Sequence, residues 1–231
     1  MENQTDWPAG YLPSIESFLA GESDLPFGLD SYQRCFASPW FFPLQRRREL
    51  ERMMRIARKI EPRVVMEIGS DKGGGVYHWV KCLPSVRRMI ACDIRGCPYW
   101  HAMDCAFPEI DFCWVEGPSR AATSIEIVKE FLADDSIDVL FIDGEKSHFR
   151  EEFLTYAPLV SARGIVFMHD VVEQPMQRQF EECRAGHHWE IVHDISESRE
   201  LIDPTTPYEN WLKHWDGRSC GVGVIYGSVR S

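Results

Sequence analysis

Two short segments in the second half of the chain carry residue types that could do chemistry together. One is Asp143-Gly144-Glu145-Lys146-Ser147-His148, which ends an apolar run, and the other is His169-Asp170, which ends the next such run. Carboxylates at adjacent strand ends converge, and once buried they need a cation or several hydrogen-bond donors. A hard divalent ion held by Asp143, His169 and Asp170 would neutralise them and could hold a substrate hydroxyl in its remaining positions. The imidazole of His169 suits manganese, iron or zinc better than an all-oxygen set would, and without any ion it could act as an acid or base itself. Lys146 and His148 are the competing bases. Lysine has an ordinary pKa of about 10.4, so as a base it would have to be depressed by burial or by a neighbouring cation. The plain alternatives are a capping role for Asp170, a satisfied core histidine at 169, a surface position for Lys146 and a helix start at His148.

A second group lies earlier, in Glu67-Ile68-Gly69-Ser70-Asp71-Lys72-Gly73-Gly74-Gly75. Gly69 and Gly73 let the backbone turn sharply and come close to a ligand. The three glycines of the dinucleotide fingerprint are absent in every frame, so a pyrophosphate cradle is disfavoured. Glu67 inside the turn also argues against phosphate and for a ligand with positive charge or hydroxyls. S-adenosylmethionine has an amino-acid end, a sulfonium and no phosphate. Asp93 ends the next apolar run, where a carboxylate can accept from both ribose hydroxyls. Glu116-Gly117-Pro118-Ser119 then forms a turn that could line adenine and cap a helix through Ser119. Taken singly, each of these residues could equally serve a tight connection or a cap.

The elements that must position these groups follow from patterning. Apolar runs at 64–69, 88–94, 111–117, 137–144 and 164–172 alternate with helical patterns, which predicts an α/β fold with a doubly wound, mostly parallel sheet. Ligands of such sheets collect at the carboxyl ends of the strands. Two further runs, at 188–195 and 220–227, lack a long helical pattern between them and predict an antiparallel closing pair, seven strands in all. Ahead of the sheet, Leu50, Met53, Met54, Ala57 and Ile60 mark one face of a helix over 43–60, with Pro43 suited to its first turn. Residues 1–43 read as an aromatic, Pro-interrupted arm and 44–231 as the main domain. The arm could be buried on its own domain or across a homodimer. The segment 203–217, with Trp211, His214 and Trp215, is either a substrate-facing lid or surface packing.

Composition narrows the partners. The 231 residues are 44% hydrophobic and 26% charged with a formal net charge of −11, enough for one large core and unfavourable for nucleic acid or an anionic membrane. The N-terminal residues have neither the basic start nor the apolar stretch of a secretory signal, so a cytoplasmic protein is expected. The 8 cysteines never form a C-x-x-C pair and read as reduced, mostly buried thiols.

In their order at successive strand ends, EIGSDKGGG, the acid of ACDI, VEGPS, VLFIDGEKSHF, YAPLVSARGIVFMHDVV and GVGVIYG resemble the class I S-adenosylmethionine-dependent methyltransferases over about residues 60–227. The segment joining the fourth and fifth runs is most similar to the branch of cephalosporin-hydroxylase-type proteins and macrolide-sugar O-methyltransferases, and more distantly to catechol and caffeoyl-CoA O-methyltransferases. The resemblance implies a Rossmann-like methyltransferase fold with an antiparallel last strand. It assigns Glu67, Gly69, Ser70, Gly73, Asp93, Gly117, Ser119 and Asp143 to the cofactor. In the metal-dependent relatives the ion sits on an acid after strand four and an acidic or amide pair after strand five, matched here by Asp143, His169 and Asp170. His169 departs from that pattern, which weakens magnesium relative to manganese. Lys146 stands where catechol-type enzymes place their base, with His148 and His169 as the other catalytic candidates. The implied activity is metal-assisted O-methylation of a small-molecule hydroxyl on a sugar, phenol or secondary metabolite. A metal-independent N- or O-methyltransferase and a non-catalytic S-adenosylmethionine-binding protein remain the alternatives.

Overall fold

The structure, a computed structural model, describes residues 45, 47–172, 174–192 and 221–227. The expected arm, Pro43, the 203–217 segment and the end of the 188–195 run lie outside these residues. The first helix, α1 (Arg47–Arg58), buries Leu50, Met53, Met54 and Ala57, the i, i+3, i+4, i+7 stripe read from the sequence. Strands and helices then alternate: β1 (Val64–Ile68), α2 (Gly74–Cys82), β2 (Arg88–Asp93), α3 (Trp100–Ala106), β3 (Asp111–Glu116), α4 (Ala122–Leu132) and β4 (Ile137–Ile142). A 3-10 turn, Lys146–His148, leads into α5 (Phe149–Tyr156) and a second, Ala157–Leu159, into β5 (Val160–His169), followed by α6 (Met176–Cys183), β6 (Trp189–Val192) and β7 (Val222–Tyr226).

These strands form one seven-stranded sheet in the order β3-β2-β1-β4-β5-β7-β6. β1 to β5 are parallel, and β7 runs antiparallel between β5 and β6. Alternation along each strand divides the core between the two faces. Val65, Phe141, Phe167 and Val224 meet the face that also holds Leu50, Met53, Trp79 and Met103 of α1, α2 and α3. Met66, Leu140, Ile142, Val166 and Met168 meet Val128, Phe149, Tyr156 and Phe180 of α4, α5 and α6. Burial on both faces explains why the central runs are almost unbroken in apolar residues.

The last strand is tied back to the first helix. Buried Glu49 of α1 accepts the backbone N–H of Gly221 at 3.0 Å through Oε1. A carboxylate buried at this point satisfies a donor that the sheet leaves free as the chain enters β7. Among the described residues Cys82, Cys92, Cys97, Cys105, Cys113 and Cys183 are free thiols. No helix among those residues is long and apolar enough to cross a membrane.

Candidate active site

Register decides which residues share the carboxyl edge. Ile68 aligns with Cys92 and with Ile142, and Ile142 aligns with Met168. The next residue of each strand or turn, namely Asp93, Gly69, Asp143 and His169, therefore emerges in one row across four adjacent strands. A row of this kind at the carboxyl ends is where open α/β sheets hold their ligands.

At the right of that row four ionisable groups meet. His169 Nδ1 lies 3.2 Å from Asp143 Oδ1 and 3.2 Å from Asp170 Oδ1. Lys146 Nζ lies 2.5 Å from Asp143 Oδ1 and 2.6 Å from Asp170 Oδ2, bridging the two carboxylates. Gln45 Nε2 donates to Asp143 Oδ2 at 2.7 Å. Asp170 follows β5 with a left-handed φ of 59°, a conformation that non-glycine residues seldom adopt and that turns its carboxylate back toward its neighbours. Burial alone would raise the pKa of Asp143, but the His169 and Lys146 charges outweigh it and hold the carboxyl below its usual range. Burial is likewise overcome at Asp170, chiefly by the hydrogen bond and charge of His169, with Lys146 adding to both. His169 is pulled the other way: burial favours the neutral ring, yet Asp143 and Asp170 push it up to about 10. The same two carboxylates raise Lys146 above its ordinary value against the effect of burial. The depression that a base role for lysine would require is thus reversed in this arrangement. His148 is not part of the cluster, since its Nδ1 lies 3.2 Å from Glu151 Oε2 on the first turn of α5.

Asp143, His169 and Asp170 can each offer a ligand atom, all within 4.8 Å of one another, and they are the group of that kind among the described residues. Two carboxylate oxygens and one imidazole nitrogen make a donor set suited to a divalent first-row ion. The set fits an ion, provided the Lys146 ammonium moves off the two oxygens it now contacts. With 38% of its side chain exposed, Lys146 has room to do so.

The left of the row is shaped by backbone. Gly69 has φ +87°, and a Cβ there would stand 2.3 Å from the Asp143 carbonyl oxygen. Glycine is therefore required for β1 and β4 to turn out of the sheet side by side. Gly73 caps α2 in the left-handed conformation, and its N–H donates to the carbonyl of buried Ser70 at 2.7 Å. Glu67 is 1% exposed, with its oxygens beneath Gly75 of α2, where a Cβ would come within 2.1 Å of Oε1. Burial first, and then the charge of Asp143, raise its pKa well above the carboxylate range. It lies under the start of α2 instead of opening onto the edge.

Asp93 does not cap a helix. Its Oδ2 accepts from Asp71 N–H at 2.9 Å and its Oδ1 from Arg95 N–H at 3.0 Å, which fixes the carboxylate while leaving further lone pairs. Gly117 donates to the Asp93 carbonyl at 2.9 Å, holding the turn after β3 against the end of β2. The expected Ser119 cap is corrected: the N-cap of α4 is Ala121, and the Ser119 hydroxyl donates to Glu152 Oε1 at 2.5 Å. The cap position falls two residues beyond Ser119, whose hydroxyl is oriented by the buried carboxylate instead of by the N–H groups of the first turn.

Three residues at this edge were not singled out from sequence. Glu152 was legible in principle, because it occupies a buried position in the apolar stripe of Phe149, Phe153 and Tyr156 on α5. Ile94, directly after Asp93, is an exposed apolar side chain, 66% accessible. Gln45 carries no signal, since nothing in its neighbours points toward a residue 98 positions away.

Comparison with known proteins agrees with this architecture. Residues 66–171 match a family described as a methyltransferase domain. An O-methyltransferase from Bacillus cereus, solved in complex with SAH, superposes with a TM-score of 0.57 at 11% identity, covering 95% of this chain and 93% of that one. TomG, an O-methyltransferase from Streptomyces achromogenes involved in tomaymycin synthesis and solved with SAM, gives 0.54 at 14% identity over 94% and 91%. An SAH-bound methyltransferase from Podospora anserina gives 0.50 at 15% identity over 94% and 89%. At these identities the likeness shows the fold. No curated protein matches by sequence.

Proposed function

We propose that this chain, whose residues 66–171 match a methyltransferase domain family, is a class I S-adenosylmethionine-dependent enzyme that methylates a hydroxyl oxygen of a small molecule with the help of a divalent ion. The observation that carries this reading is the single row in which Asp93 and the Gly69 turn stand beside the Asp143–Lys146–His169–Asp170 cluster. The bound cofactor supplies a methyl group on a sulfonium. Asp93 accepts from its ribose hydroxyls, and the Gly69–Gly73 turn with Ser70 lets its amino-acid end approach the backbone. Gly117 and Ser119 border its base.

Asp143, His169 and Asp170 would hold the ion, which would be manganese or magnesium and would lower the pKa of a coordinated hydroxyl. Lys146, displaced from the two carboxylates, would lose the charges that keep it protonated and could then take the acceptor proton. Gln45 holds Asp143 Oδ2, so Asp143 presents a fixed Oδ1 toward the cluster. Transfer from sulfonium to oxyanion consumes charge, so a site that excludes water assists it.

One observation favours a metal-independent reading: Lys146 already bridges both carboxylates, as a resident cation would. A turnover assay over a library of hydroxylated acceptors, run with and without a chelator, separates the two. Loss of rate with chelator and its return with manganese supports the metal-assisted reading, whereas an unchanged rate refutes it.

A further inference from the structure

Glu152 is a buried carboxylate that the proposed chemistry does not use. The residue is 2% exposed, its Oε1 receives the Ser119 hydroxyl at 2.5 Å, and its Oε2 has no hydrogen-bond partner among the described residues. Neighbouring cations are committed elsewhere: Arg120 to Glu151 at 2.6 Å, and Lys146 to Asp143 and Asp170. An ionised carboxylate accepts at several positions, so one donor leaves it short and calls for a second. Burial pushes its pKa up to about 7 despite the Ser119 hydrogen bond, as expected of a carboxyl group lacking donors.

Its place is also specific. A Cβ on Gly144 would stand 2.7 Å and 3.1 Å from the two Glu152 oxygens, so only glycine after Asp143 lets this carboxylate lie against the end of β4. The Tyr156 hydroxyl donates to the Ser119 carbonyl, fixing the serine from below. Ser119 in turn closes the loop whose Gly117 is bonded to the backbone of Asp93. Directly after Asp93 in the chain comes exposed Ile94.

We propose that Glu152 and Ser119 together read the purine of the cofactor, accepting a hydrogen bond from its exocyclic amino group and rejecting a purine with an oxo group there. This rests on the cofactor reading above and adds the residue pair that selects the base. Above pH 7, where Glu152 is ionised and the serine hydrogen is committed to its Oε1, what remains on both side chains is lone pairs. An amino N–H satisfies the orphaned Oε2 or the serine oxygen, whereas an oxo group sets lone pairs against lone pairs in a buried place.

The test is calorimetric titration of the full chain at pH 8.5 with S-adenosylhomocysteine and with its deaminated analogue S-inosylhomocysteine. Wild type is expected to prefer the amino compound by roughly 100-fold or more. Glu152→Gln, whose amide can donate as well as accept, is expected to shrink that ratio to about 10-fold or less, with circular dichroism to check its fold. A purely structural role for Glu152 would weaken both ligands equally and leave the ratio intact, which overturns the proposal. Should the variant not fold, wild type decides alone, since a ratio near one refutes selection. Failure of both compounds to bind refutes the cofactor reading itself, a result distinct from binding without discrimination.

Discussion

Replacing Lys146 by methionine tests whether an ammonium and a metal ion compete for the same oxygens. Lys146 Nζ lies 2.5 Å from Asp143 Oδ1 and 2.6 Å from Asp170 Oδ2, so an ion entering between Asp143, His169 and Asp170 must first break both contacts. Charge-assisted hydrogen bonds are worth ~1.5–3 kcal/mol each when sheltered. The lysine side chain is 38% exposed, and solvent screening reduces the pair to about 2 kcal/mol together. That energy corresponds to a factor of about 30 in affinity. Lys146→Met should therefore bind manganese about 30-fold more tightly than wild type at the same pH, as read by titration calorimetry or by the loss of free manganese signal in electron paramagnetic resonance. Methyl transfer should fall in the same variant, because the group proposed to take the proton is gone. Equal manganese affinity in the two proteins would show that no ion uses these carboxylates, and the metal-assisted reading would fail with it.

Other perturbations address the rest of the edge. Asp93→Asn should weaken S-adenosylhomocysteine by roughly 10- to 100-fold through loss of charge-assisted bonds to the ribose, and unchanged affinity in a titration would remove Asp93 from the cofactor site. Gly75→Ala would place a Cβ 2.1 Å from Glu67 Oε1, so its denaturation midpoint should fall by the equivalent of about 1–3 kcal/mol; combining it with Glu67→Ala should recover part of that loss. Glu152 has a folded pKa of about 7 against an ordinary 4.5. Folding thus favours its protonated form, and this contribution, about 3 kcal/mol, is fully present below pH 4.5 and lost as the pH rises through 7. Thermal melts of Glu152→Gln and wild type should consequently diverge between pH 5 and pH 8 with the variant gaining, and a gap that does not change with pH would contradict the burial argument.

Much of the architecture was legible because burial on both faces leaves a plain mark. The runs around Val65, Leu140 and Val166 are apolar without alternation, and the helical stripe of Leu50, Met53, Met54 and Ala57 is regular. The convergence of Asp143 with His169-Asp170 followed from their places after adjacent strands. What sequence could not supply was competition among polar partners. Ser119 has the residue type of a cap, but the cap position falls two residues later and the serine hydroxyl is turned toward Glu152 of α5. Glu67 looked like a ligand-facing acid, yet the missing side chain of Gly75 opens a buried space that it fills. Lys146 was expected to need a lowered pKa, and the two carboxylates flanking it do the opposite. Each of these depends on distances across the fold, to which local spacing is blind.

The seat of β7 bears on how the molecule is assembled. A polypeptide emerging from the ribosome with its N-terminus first completes β1 to β5 while the outer backbone of β5 still has no neighbour. That bare border persists until Val222–Tyr226 arrive, and the Glu49 carboxylate waits longer still for Gly221. Nascent chains would therefore expose a sticky strand margin from the completion of β5 to the arrival of β7, making that interval the period of greatest vulnerability to self-association.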